Sequence, residues 1–417
     1  MECAADCSFI SRRQTAKNRF LTLTFFTVLL FNSLLLVDLV RMVIGSESFA
    51  VKVAQYVIYL SVFAFSAFDY FVSKSRLKKP TIIFVTVFAF LILFSFVVDS
   101  NNLTFAYQLL PFFAIRIIPS FYLASNIKET KHVTDALFKW RYIWLIYSII
   151  GVIYVSSHSE STYNMYSMNF GYNLFLPACL FFVFFLKKRN PVYFLYFLFE
   201  CFCILYRGSR GPLLCIALFV VFSFLFSFHG KKKRKIIVSA GIISSLLLVS
   251  AIALNELGVV NFGEFLSSSR TLYFIKEDFF HDSGRNGILS VFLEKINEHP
   301  LAFRGMYSDR IYYANITGSV VDSSNYPHNL VVELLFHYGY VLTILLIVAA
   351  VVFHFSSIWK NKRYDFESKN LLYMLFLIGV VSLFFSGSYL EPVYVYLYLG
   401  FLFALRQGKK NENLLHS

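Results

Sequence analysis

The chain of 417 residues is 58% hydrophobic, 19% aromatic and only 15% charged, with 51 phenylalanines and a mean hydropathy of +0.63. Soluble domains carry roughly 25% charged residues, so this composition excludes an ordinary soluble protein. The net charge of +14 is divided into short basic clusters between apolar runs, a pattern of membrane topology that excludes a nucleic-acid-binding face.

A helix needs about 20 apolar residues to cross a ~30 Å hydrocarbon core. On that measure the sequence predicts an all-α integral membrane protein with about twelve transmembrane helices. They fall near 20–42, 51–72, 80–98, 103–125, 140–156, 169–186, 191–206, 211–229, 236–254, 329–355, 371–387 and 389–405. Residues 1–206 form an N-terminal bundle of about seven spans. Residues 207–254 hold the next spans, 255–328 form one large polar loop, and 329–417 contain the last spans and the tail. No internal repeat marks the chain as two duplicated halves. Arg12, Arg13, Lys17 and Arg19 lead into a first apolar run too long for a cleavable leader.

Orientation follows from Lys and Arg in the short connections, which cytoplasmic loops carry in excess. Clusters stand in the N-terminal tail, at 73–79, at 126–141, at Lys187-Lys188-Arg189, at 231–235, around Lys360, Lys362, Arg363 and Lys369, and at Arg406, Lys409 and Lys410. In a chain of about twelve spans these all lie on one side. The short loops on the other side, around Glu47, Asp99, Glu160 and Glu391, are acidic or neutral. Both termini are therefore expected in the cytoplasm, with 255–328 facing out.

The cations that break this rule are the informative ones. Arg41 and Lys52 stand at helix ends, where long side chains snorkel. Arg116 lies inside the fourth apolar run, between Pro111 and Pro119. An intramembrane arginine marks either a site or a pairing with a neighbouring helix. Arg207-Gly208-Ser209-Arg210-Gly211-Pro212 places two arginines on the outward side, immediately before a span. Pro212 suits a first helical turn, and the unpaired N–H groups of a helix start beside Arg210 would hold a phosphate or diphosphate. Snorkelling to lipid headgroups is the plainer alternative.

In the large loop, Asp282-Ser283-Gly284-Arg285-Asn286-Gly287 reads as a turn followed by an amphipathic helix from Ile288 to Asn297. Arg285 could add a cation to the same anion, although a solvated turn is the plainer reading, with Arg304 and Arg310 as weaker candidates. Tyr326-Pro327-His328-Asn329 opens the next span. An imidazole at a helix N-terminus is biased towards the neutral form that accepts a proton, although a capping histidine is equally simple. Glu333 and His337 share one helix face at i, i+4 spacing. The cysteines, none of them in the long loop, lack the partners of a metal site.

The order of these pieces resembles the O-antigen polymerase and O-antigen ligase superfamily of bacterial membrane proteins. The matching pieces are Ser209-Arg210-Gly211, Ser283-Gly284-Arg285, the Pro300–Gly305 turn, and His328-Asn329 with Gly339, within residues 205–345. Phe303-Arg304-Gly305 departs from the family's usual Gly-x-Gly. The resemblance implies a GT-C-like glycosyltransferase of the bacterial inner membrane, with a periplasmic active site. Its implied donor is a glycan on undecaprenyl diphosphate, and no nucleotide sugar, cofactor or metal is implied. In a polymerase the acceptor is another lipid-linked repeat unit, which is the preferred reading; in a ligase it is a sugar of the lipid A core. By the same resemblance Arg210 and Arg285 would neutralise the departing diphosphate and His328 would be the general base. Arg207, Arg304 and Arg310 would be further diphosphate contacts, with Asn329, Glu333 and Arg116 in support. A chain-length regulator and a flippase are the implied partners. A polysaccharide flippase is the competing function, since it too would have about twelve spans.

Overall fold

The computed structural model describes residues 2–45, 48–72, 78–105, 110–127, 129–158, 168–206, 210–227, 285–321, 325–358 and 365–415. Among them every regular element is helical. Burial sorts the helices into an axis and a perimeter. Asn169–Lys188 is 89% buried over its apolar window, and its Phe175, Phe181, Phe182 and Phe184 are at most 1% exposed. Lys79–Val98 is only 17% buried and displays Ile82, Ile83, Phe90, Leu93 and Val97 on its surface. A helix that is apolar on all sides yet open along its length is suited to lipid, which carries no hydration penalty for such side chains.

Where the sequence predicts about twelve spans, six helices among the described residues are long and apolar enough to cross a membrane, or seven if the bent pair Leu110–Asn126 and Thr130–Phe138 is one span: Asn18–Ile44, Phe49–Val72, Lys79–Val98, Asn169–Lys188, Leu330–Ser357 and Phe366–Phe384. Four predicted spans coincide with shorter apolar helices, Arg141–Tyr154, Pro191–Tyr206, Arg210–Phe224 and Val393–Arg406. The span expected at 103–125 is broken. A 3-10 turn covers Ser100–Phe105, a π-turn covers Phe113–Ile117, and the Leu110–Asn126 segment bends by 115° into Thr130–Phe138. Pro119 removes an N–H within that stretch, which favours such a departure from α-geometry. The span expected at 236–254 lies outside the described residues.

The polar interval 255–328 is not simply an open loop where it is described. It contains the helices Arg285–Glu298 and Ser308–Thr317, the first covering the amphipathic segment expected from Ile288 to Asn297. Phe292 and Ile296 are fully buried against Val332 and Phe336 of the following helix.

Hydrogen bonds fix the two ends of the bundle. Ser223 Oγ donates to Asn370 Oδ1 at 2.7 Å, while Cys215 meets the Leu377 carbonyl at 3.8 Å, so Arg210–Ser227 and Phe366–Gly379 run antiparallel. At one end Lys187 bridges Asp135 and Glu367, bringing three of the basic connections together. At the other, the first turn of the Arg210 helix is level with the short helix Val381–Phe384.

That second end is organised by a break in Leu330–Ile358. Gly339 has φ 68° and ψ 176°, outside helical geometry. The break frees backbone groups, and the Pro300–Gly305 turn takes them up. Tyr340 N–H donates to the Pro300 carbonyl at 2.9 Å, and the His337 carbonyl accepts from the Arg304 and Gly305 N–H groups at 3.0 and 3.1 Å. Thr343 Oγ1 reaches across the break to the Leu334 carbonyl at 2.8 Å. A Cβ on residue 339 would meet Leu301 and Pro300 backbone atoms at 2.9–3.1 Å. Both the positive φ and the close approach therefore require glycine. Gly339→Ala is expected to cost about 1–3 kcal/mol from strain alone and to dislodge the turn. Limited proteolysis near residues 300–305 checks this: cleavage should be faster in the variant, and an unchanged rate would mean that the turn is held elsewhere.

Candidate functional site

The turn and the broken helix together bury a charged cluster. Asp309 and Arg310, in the first turn of Ser308–Thr317, and Glu333 and His337, one helical turn apart in the next helix, are all 0% exposed. Arg310 Nη1 lies 2.5 Å from Asp309 Oδ2 and 2.8 Å from Glu333 Oε1. Its guanidinium carbon is 5.0 Å from the ring centres of both Tyr307 and Tyr326. His337 Nε2 is 2.8 Å from Asp309 Oδ1, and Nδ1 is 2.9 Å from the Tyr389 hydroxyl, which meets Tyr338 Oη at 2.8 Å. Glu333 also accepts from Ser388 Oγ and, at 3.3 Å, from the Tyr389 N–H. One buried arginine thus neutralises two carboxylates, and those carboxylates tie the 308–317 helix, the 330–338 helix and the 386–391 turn into one unit.

Burial alone would raise the Asp309 carboxyl; the Arg310 guanidinium and His337 outweigh it and hold Asp309 down at about 2. The folded value lies below the ordinary carboxylate range. The stabilisation is therefore present above that range and lost only as pH falls towards about 2.

Each candidate from the sequence can now be placed. Arg210 is half-buried and opens its helix, with Pro212 in the first turn as expected. Asn329 Oδ1 caps the Leu330 helix by accepting from the Val331 and Val332 N–H groups at 3.0 and 3.2 Å, and its Nδ2 reaches the Phe384 carbonyl at 3.4 Å. His328 stands just outside that cap with φ 55°, and its ring centre is 4.1 Å from that of Tyr326. The Val381–Phe384 turn thus touches both the Arg210 helix and the His328-Asn329 corner. Arg285 begins its helix, while Arg207 lies outside the described residues.

Other arginines take structural positions. Arg304 Nη2 donates to the Lys295 and His299 carbonyls at 2.9 and 3.1 Å, and Nη1 to the Phe336 carbonyl at 3.3 Å. It caps the C-terminal end of Arg285–Glu298, where a cation is favoured, and joins that helix to the break. Arg310 is sealed between its carboxylates, so neither side chain is presented as an open diphosphate contact in this structure. Glu333 accepts from Arg310 Nη1 at 2.8 Å and from Ser388 Oγ. Arg116 is half-buried, with its guanidinium 4.1 and 4.3 Å from the Tyr59 and Phe112 ring centres.

The sequence reading did not find Asp309, Ser388 or Tyr389. The signal available was an acid beside an arginine at 309–310 and a Ser-Gly-Ser-Tyr turn between two apolar runs. Asp309, Glu333 and His337 have donor atoms within 4.8 Å of one another, the composition of a metal site. Arg310 Nη1 sits between the two carboxylates and already supplies the positive charge there.

These features define a polytopic all-helical membrane protein with a built polar end. Residues 193–347 match the family described as O-antigen ligase, a range that contains the Ser209-Arg210-Gly211, Arg285, turn and His328 motifs. The resemblance to the O-antigen ligase and polymerase superfamily, whose members are glycosyltransferase-like enzymes, therefore rests on this stretch of the chain. No curated protein and no solved structure matches the chain.

Arg310→Met would leave two buried carboxylates without their cation and should destabilise the fold by about 3–5 kcal/mol. Thermal unfolding in detergent measures this, and an unshifted transition would remove the cluster's structural role. In the wild type the Asp309 contribution should stay constant from neutral pH down to the ordinary carboxylate range. A loss already at mildly acidic pH in the wild type, absent from Asp309→Asn, would contradict the assignment.

Proposed function

We propose that this protein is an O-antigen polymerase of the bacterial inner membrane, joining repeat units carried on undecaprenyl diphosphate at the periplasmic face. The observation that carries the reading is the meeting of the Arg210 helix and the His328-Asn329 corner, both in the stretch that matches the O-antigen ligase family, on the short turn Val381–Phe384. Arg210, at the start of its helix, meets the diphosphate, with Arg285 and Arg207 as further cations. The hydroxyl of the acceptor sugar attacks the anomeric carbon of the donor. The bond to the diphosphate breaks with its electron pair on the leaving oxygen, and His328 takes the hydroxyl proton. The end of the bundle that carries these groups faces the periplasm, and the end with Lys187 faces the cytoplasm with both termini.

The polar shell suits transfer chemistry better than transport. Its ions are fixed at one end by a broken helix, beside the His328-Asn329 corner. The match to a family described as O-antigen ligase also supports a second reading as a ligase, in which a lipid A core sugar takes the acceptor's place.

The lipopolysaccharide gel of a deletion strain separates these readings. Core bearing a single repeat unit supports the polymerase. Bare core with long glycan retained on the carrier supports the ligase, and bare core without such chains supports export. In complementation, Arg210→Ala, Arg285→Ala and His328→Ala should each lower chain growth about a hundredfold or more while still inserting in the membrane. Normal ladders from all three would remove this active site.

A further inference from the structure

Glu391 belongs to none of the networks above, although it stands among them. It lies on the turn between Phe366–Phe384 and Val393–Arg406, directly before Pro392. The turn's backbone is well held. Glu333 grips it through Ser388 and the Tyr389 N–H, Tyr396 Oη donates to the Tyr389 carbonyl at 2.8 Å, and the Glu391 N–H donates to the Ser388 carbonyl at 3.3 Å. The Glu391 side chain is not: half-buried, its carboxylate makes no hydrogen bond or ion pair among the described residues. Asp309 and Glu333, the fully buried acids of this cluster, have both carboxylate oxygens engaged.

A carboxylate offers about four lone-pair sites and is costly to leave partly buried with none of them used. The groups acting on it are Arg310, Glu333, Arg116 and Asp309, with Tyr307 and Tyr326 also within its field. Arg310, the foremost of these charges, has no hydrogen-bond partner for Nε or Nη2 and is itself 0% exposed. The surroundings are therefore polar, incompletely satisfied and joined to the motif corner: Tyr326 hydrogen-bonds the Gly387 backbone, and its ring lies tilted, 4.1 Å from that of His328.

The charge of Glu391 decides what could complete this place. Glu391, with Asp309 and Glu333 behind it, repels a phosphate. A neutral ligand rich in O–H donors fits. We propose that Glu391 binds the acceptor sugar, accepting hydrogen bonds from hydroxyls that neighbour the attacking one, and so presents the nucleophile on the His328 side of the site. This rests on the glycosyl-transfer reading and divides its site into two parts, with the diphosphate at the Arg210 helix and the acceptor sugar at the 386–391 turn. Burial raises the Glu391 carboxyl above its usual range, with Arg310 and Arg116 opposing that rise. The carboxylate is thus protonated at a higher pH than an ordinary one, and its hold on hydroxyl donors weakens as pH falls.

The experiment uses the full-length protein in liposomes with a full-length lipid-diphosphate-linked repeat unit as donor. The acceptor is a fluorescent repeat unit on a short prenyl diphosphate, varied in concentration, or lipid A core if the wild type extends only that. In Glu391→Gln the acceptor KM should rise about tenfold or more, with the donor KM and the rate at saturating acceptor within about threefold of wild type. Glu391→Asp should fall between the two. In the wild type the acceptor KM should increase as pH falls, and in Glu391→Gln it should be flat. An acceptor KM unmoved in Glu391→Gln, a rise in donor KM instead, or a loss confined to the saturated rate would each overturn the proposal. If Glu391→Gln does not fold, a pH-independent acceptor KM in the wild type overturns it. Wild-type protein that forms no product contradicts the transfer reading itself, whereas product formation with an unmoved acceptor KM in Glu391→Gln contradicts only the role of Glu391.

Discussion

The polar end of this protein depends on one interruption of one helix. An apolar helix of this length would normally satisfy its own backbone and offer nothing to its neighbours. At Gly339 the ladder opens, and the His337 carbonyl becomes the acceptor for two N–H groups of the 300–305 turn. The ring of the same histidine faces the other way, to Asp309 and Tyr389. Residue 337 therefore joins backbone docking to the buried ion cluster, and losing the break would undo both.

Arg310 explains how such a cluster persists in the interior. Two carboxylates at the end of an apolar bundle are unfavourable unless a cation lies between them, and Arg310 Nη1 contacts both. Tyr307 and Tyr326 flank the group, and Tyr326 carries the arrangement to His328. The path from buried charge to exposed corner is short: Arg310, Tyr326, His328.

Much of this was legible in the sequence, and the rest was hidden for identifiable reasons. Apolar runs located a helix for nearly every expected span that is described, because hydropathy reports burial in any greasy environment. Hydropathy does not report where a chain bends, so the 115° break between Leu110–Asn126 and Thr130–Phe138 was not visible in the apolar run. The motif glycine at 339 was visible, but its partner turn could be known only from the packing. Arg304 and Arg310 looked like anion contacts because charge in a loop is usually solvated. In the structure one caps a helix and the other is sealed with Asp309 and Glu333. Pairings of residues more than twenty positions apart leave no periodic trace, which is why Ser388 and Tyr389 escaped notice.

The central claim is that this end of the bundle breaks the bond between a glycan and its lipid diphosphate and forms a new glycosidic bond. The most direct measurement is the release of lipid diphosphate by the purified protein in liposomes, followed together with glycan length. The account predicts that each lipid diphosphate released is matched by one bond formed, and that Arg210→Ala stops both. Glycan that crosses the bilayer with its carrier bond intact, or product formed equally well without Arg210, would contradict it.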